Sequence, residues 1–255
     1  MGGLYENCRR DLHALCPRAQ VLSEPRFRVL LLGDLDAVRR LAPRLQSPRV
    51  AIVQDGDRVL LVSSDFEALG SADEVAALAL QLIRTLRGAL RVARIAEHEP
   101  IQLDGVIRRA QDGSESKTLY RFAEDAVGIS EAFDASILVN GEPVPAPPLK
   151  VEAALENDHV AMALSLLART PTWFDLYKVL ELIEQGVGGE RSLEGKGWEP
   201  SVELRRFTHT VNSVGALGLD ARHARLDWQT PANPMTLNEA TDMIRRLMER
   251  WLGSM

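Results

Sequence analysis

Two of the five histidines in this 255-residue chain stand beside arginines at spacings that could do chemistry. They fall in Arg205-Arg206-Phe207-Thr208-His209-Thr210-Val211-Asn212 and in Asp220-Ala221-Arg222-His223-Ala224-Arg225. On a helix, Arg205 and His209 are four positions apart and project from one face, and Asn212, three further on, is expected to join it. Arginine holds a phosphodiester through two parallel N–H bonds. Imidazole titrates near neutrality and can move a proton to or from a ribose hydroxyl or a leaving oxygen. The expected site therefore has His209 and His223 as general acid and base. Arg205, Arg222 and Asn212 are its substrate-binding groups. The chemistry would be metal-independent RNA cleavage with the 2′-hydroxyl as nucleophile. The competing reading is structural: Arg222 and His223 tie a long loop to the helices through backbone carbonyls, His209 fills a polar gap, and Asn212 ends its helix.

The remaining candidates carry less. His13, His98 and His159 have no partners at a suggestive spacing. Cys8, His13 and Cys16 fit no zinc pattern and lack a fourth ligand, so the cysteines read as small buried apolar groups. No Walker sequence, Gly-x-Ser-x-Gly elbow or zinc motif is present, and neither a metal nor a cofactor is expected. Glu152, Glu156 and Asp158 read as a solvated acidic face.

Composition sets the limits. Hydrophobic residues make up 45% and charged residues 26%, which excludes disorder as the dominant state. The net charge of -6 argues against a protein that coats nucleic acid generally, although a few arginines in a cleft can still hold a phosphate chain. No run of about 18 apolar residues is present, so no membrane span is expected. The opening residues lack a basic segment followed by an apolar core, so a secretory signal is not expected either. Two cysteines cannot form a disulfide framework, which points to the reducing cytoplasm.

The elements that must position these residues fall into two groups. Residues 1–148 read as a mixed unit with mostly antiparallel pairing. Helices are expected over 4–16, 34–45 and 72–94, the last with arginines 84, 87, 91 and 94 outside its apolar face. Strands are expected over 26–33, 50–53, 59–62, 101–109, 116–123 and 135–139. Asp55-Gly56, Asp112-Gly113 and Asn140-Gly141 mark turns. Four prolines within 143–148 read as a linker. Residues 149–255 read as a bundle-like domain of four helices, over 151–168, 173–184, 200–211 and after Thr236. All four tryptophans, at 173, 198, 228 and 251, lie there and are candidates for its core. Thr172 with Asp175, and Thr236 with Glu239, have the spacing of helix-start caps. The fold class is thus α+β: an antiparallel sheet with helices, then a helical domain.

The segments Trp173-Phe174-Asp175-Leu176-Tyr177-Lys178, Arg206-Phe207-Thr208-His209-Thr210, Ala221-Arg222-His223-Ala224 and Pro234-Met235-Thr236-Leu237 resemble a recurrent C-terminal region of uncharacterised bacterial proteins. More remotely, an all-helical layout with an Arg/His segment ahead of the last helix resembles HEPN domains. That resemblance implies metal-independent ribonuclease chemistry in toxin or anti-phage systems, performed by dimers that bring two Arg-His sets together. The usual HEPN motif has four to six residues between Arg and His. Arg205 and His209 are separated by three, and Arg222 and His223 are adjacent. The expected partner is accordingly RNA. The alternatives are a non-catalytic protein-interaction or homodimerisation module, and a small-molecule or nucleotide sensor with a pocket between the domains.

Overall fold

The computed structural model describes residues 25–33, 45, 47, 49–93, 101–120, 138–139, 142–143, 151–223 and 229–255. The described chain divides into two compact units. One draws on 1–83 and 98–149, the other on 84–97 and 150–255. The expected helices over 4–16 and, apart from Leu45, over 34–45 lie outside the described residues, as do Cys8, His13, Cys16, His98, Trp228 and the linker beyond Pro143.

The first unit is built on a five-stranded sheet. Its strands are β1 (Phe27–Leu32), β2 (Val50–Asp55), β3 (Arg58–Ser63), β4 (Gln102–Arg109) and β5 (Glu115–Leu119). Their spatial order is β2-β3-β1-β4-β5, and every pairing is antiparallel. Alternation decides the faces: Phe27, Val29 and Leu31 are buried, while Arg28 and Leu30 are less so. The β2–β3 hairpin pairs Asp55 with Arg58 across Gly56-Asp57, and Gly56 takes the positive φ of 60° that this reversal needs. Ser63 caps a short 3-10 turn, Ser64–Ala68, which places Phe66 in the core. Farther along, β6 (Leu138–Val139) and β7 (Glu142–Pro143) pair antiparallel on either side of the expected Asn-Gly turn.

Helix α1 (Ala72–Val92) starts where the Ser71 hydroxyl accepts from the Glu74 amide and the Glu74 carboxylate accepts from the amides of Gly70 and Ser71. The division between the units falls inside this helix, after Ile83. From Thr85 to Leu90 every residue is buried. That includes Arg87, expected outside the apolar face, because this end of α1 is packed on all sides rather than along one stripe. Gly88 sits there because a Cβ would collide with the backbone of Leu164.

The rest of the second unit is helical: α2 (Val151–Glu156), α3 (Asp158–Leu167), α4 (Trp173–Val187), α5 (Glu190–Lys196), α6 (Ser201–Val211), α7 (Val214–Leu217) and α8 (Leu237–Gly253). The single helix expected over 151–168 is two. Asn157 leaves the helical region and its side chain accepts from the amides of His159 and Val160, so α3 starts afresh. Both expected caps form: Thr172 with Asp175 at α4, and Thr236 with Glu239 at α8. Helix α4 is central, touching α3, α5, α6 and α8. Its Leu176, Val179, Leu180 and Ile183 are buried, as are Met243, Ile244, Leu247, Met248 and Trp251 of α8. Of the three described tryptophans only Trp251 is fully enclosed; Trp173 and Trp198 are partly exposed. The core is therefore chiefly aliphatic. Glu152, expected on a solvated face, has its Oε1 buried and without a partner among the described residues.

Candidate functional site

Helix α6 carries the first half of the candidate site. Leu204, Phe207 and Val211 form its buried stripe, with Phe207 against Trp173 at 6.4 Å between ring centroids. Thr210 is also buried. Its hydroxyl donates to the Arg206 carbonyl and accepts from the Met235 amide, which fixes the approach to α8. Arg206 reinforces the same junction: Nε donates to the Asn233 carbonyl at 2.9 Å, and Nη2 to Pro234 and to both Glu239 oxygens. Arg206 is thus the arginine that builds the structure. Arg205, one residue earlier, points away from the core and is exposed, with no hydrogen bond or ion pair among the described residues.

His209 shares the exposed side of α6 with Arg205. Its Nε2 lies 2.8 Å from the Gln229 carbonyl oxygen, which can only accept. Nε2 therefore carries the proton, and in the neutral ring the lone pair sits on Nδ1. Asn212 does not join that face. The helix ends at Val211, and Asn212 folds back as its cap, with Nδ2 donating to the Thr208 carbonyl at 2.9 Å. It is buried, and its Oδ1, like the neighbouring Ser213 hydroxyl, has no partner among the described residues.

The second half follows a 3-10 turn at Gly218–Asp220. The Arg222 amide donates to the Val211 carbonyl at 2.8 Å, which brings this segment beside the C-terminal end of α6. Its side chain turns to α4 instead. The guanidinium lies over the Tyr177 ring, 4.0 Å from the centroid, and Nη1 donates to the Tyr177 hydroxyl at 2.8 Å. Nη2 donates to Glu181 at 3.2 Å. Nη1 also meets Nε2 of His223 at 3.2 Å. Arginine cannot accept, so His223 presents an unprotonated Nε2 in this contact.

Tyr177 and Glu181 are partners that the reading by residue type missed. The signal was present: Tyr177, Glu181 and Glu184 stand at four- and three-residue spacing on one helix. Burial pushes the Tyr177 phenol up, Arg222 pulls it down, and Glu181, Glu184 and Glu190 push it up again. Glu184 is pushed up to about 7, first by burial and then by Glu190 and Glu181. The guanidinium expected to hold phosphate thus lies in a neighbourhood of carboxylates.

The structure therefore brings Arg222 and His223 together, and joins the Arg222 backbone to the end of α6. It leaves Arg205 and His209 on the exposed helix face and withdraws Asn212 into the interior. A cavity of about 490 Å³ in the same unit, lined in part by Glu156, Gly186, Lys196 and Trp251, includes none of these five residues. Among the described residues, no three His, Cys, Asp or Glu side chains are placed to share a metal ion. No described helix is long and apolar enough to cross a membrane. No family model, curated protein or solved structure matches this chain.

Proposed function

We propose that the second unit is a non-catalytic module that binds a protein partner, with the Arg/His segment serving to hold its loop in place. One observation carries this reading: the Arg222 guanidinium is already engaged by the Tyr177 ring and hydroxyl and by Glu181, amid further carboxylates. A phosphodiester would have to displace Glu181 and approach Glu184 and Glu190, which repel it. Met162, Phe174 and Val202, each more than half exposed on helices of this unit, are the apolar side chains from which a partner contact can be built.

A second reading, the HEPN-like RNA site, is favoured by one observation. Arg205 and His209 are exposed on one helix face, and the segment bearing exposed Arg222 and His223 joins the end of that helix. One experiment separates the two. The full chain is incubated with labelled single-stranded RNA in EDTA, with binding followed by anisotropy and cleavage by gel. Intact, unbound RNA at about 150 mM salt supports the partner-binding module. Cleavage that disappears in both His209→Ala and His223→Ala overturns it in favour of the RNA site.

A further inference from the structure

The first unit holds a concentration of positive charge at the ends of two neighbouring strands. Arg26 immediately precedes β1, and Arg108 and Arg109 end β4. The Arg109 amide donates to the Arg26 carbonyl at 2.8 Å, so the pair stand opposite each other on neighbouring strands. Arg108 pairs with Phe27, one position along. With the adjoining turn these three arginines line an open cavity of about 890 Å³.

Among the described residues of this acidic protein, most other arginines have found carboxylates. Arg28 pairs with Asp55 and Glu115, Arg49 with Asp65, Arg169 with Asp175, Arg206 with Glu239 and Arg246 with Glu199. Among the described residues, neither the Arg26 nor the Arg108 guanidinium meets one. The Arg26 guanidinium lies instead over the Phe27 ring, 4.9 Å from its centroid, which steadies it without neutralising it. Glu67 meets Arg26 through the backbone amide, which donates to its Oε1 at 2.9 Å. Asp112, the acid in the cavity wall, is turned to its own loop: Oδ1 accepts from the Ser114 amide at 2.9 Å and from the Ser114 hydroxyl at 2.6 Å. These bonds also hold the turn, and Gly113 takes its φ of 83°.

We propose that this cavity binds a chain of linked phosphates, either free polyphosphate or the phosphate tail of a nucleotide. A guanidinium matches a phosphoryl group with two parallel donors. A single orthophosphate fills only a small part of a cavity of about 890 Å³, whereas a chain bearing charge on each phosphoryl group can reach both the Arg26 and the Arg108 guanidinium. The cavity lies in the unit that lacks the Arg/His segment, so this proposal stands or falls separately from the function proposed above.

The test is calorimetric titration of the full chain with sodium triphosphate at about 50 mM and about 300 mM salt. Binding is expected at the lower salt and weaker binding at the higher. The double variant Arg26→Ala/Arg108→Ala is expected to lose about tenfold or more in affinity, and Arg108→Lys an intermediate amount. Arg191→Ala, on an exposed position of α5, is expected to bind as the parent does. Because Arg26 and Arg108 are exposed, an unchanged melting temperature in the absence of ligand verifies that the variants fold. ATP separates the sources: equal affinity for ATP and triphosphate assigns the phosphate chain alone, and tighter ATP binding assigns a nucleotide. Absence of triphosphate binding at low salt, full affinity in the double variant, or orthophosphate binding as well as triphosphate overturns the proposal.

Discussion

At the scale of single residues, position on the helix mattered more than residue type. Arg205 and Arg206 are chemically identical and adjacent, yet one is exposed and the other ties two segments together. Periodicity separates the two faces of a helix but does not say what returns to cover either. Asn212 shows a related limit. Helical spacing put it beside His209, but the helix ended one residue earlier and the amide turned inward as a cap. Glu184 provides a test at this scale. Its carboxyl is raised from 4.5 to about 7 in the folded protein, so folding favours its protonated form. The stability that this confers is fully present below the unfolded value and is lost as pH rises through about 7. Glu184→Gln is expected to remain neutral throughout. It should exceed the parent by about 1–2 kcal/mol at pH 8, after allowance for solvent screening, with the difference fading toward pH 4.5. Urea unfolding at the two pH values measures it.

At the scale of elements, local signals were legible and long-range ones were not. The Asp55-Gly56 hairpin turn and the two capping boxes rest on contacts within a few residues, and they form as read. The break at Asn157 was also a local signal, a cap residue ahead of an apolar run, but the continuous apolar spacing across 151–168 masked it. Helix α5, bracketed by Gly189 and Gly197, is too short for periodicity to show. The partners of Arg222 lie 41 and 45 positions away, beyond any local pattern. The caps differ in what surrounds them. Asp175 is buried and also bonded by Arg169, whereas Glu239 is exposed and shares Arg206 with the Asn233–Pro234 carbonyls. Thr172→Ala is expected to cost about 1–2 kcal/mol and Thr236→Ala about 0.5–1 kcal/mol, read as shifts in the urea midpoint.

At the scale of the whole molecule, the fold class was legible: a five-stranded antiparallel sheet with helices, followed by a helical region. What the sequence did not disclose was the end of α1. Its buried stretch from Thr85 to Leu90, including Arg87, reads as one side of an amphipathic helix, because nothing local distinguishes a helix packed on one side from one packed all round. Gly88 is the residue to test. Alanine there would improve intrinsic helix propensity, but its methyl group would strike the backbone of Leu164, which cannot rotate away as a side chain could. Gly88→Ala is expected to destabilise by about 1–3 kcal/mol in urea unfolding.

The helix that contains Gly88 runs without interruption from one unit into the other. The C-terminal unit is therefore not coded by one uninterrupted stretch: its first turns are written ahead of β4 and β5, some sixty residues before the rest. A gene fusion or excision that kept only Lys150–Met255 would discard the α1 segment seated against Leu164 and bare the apolar surface it covers.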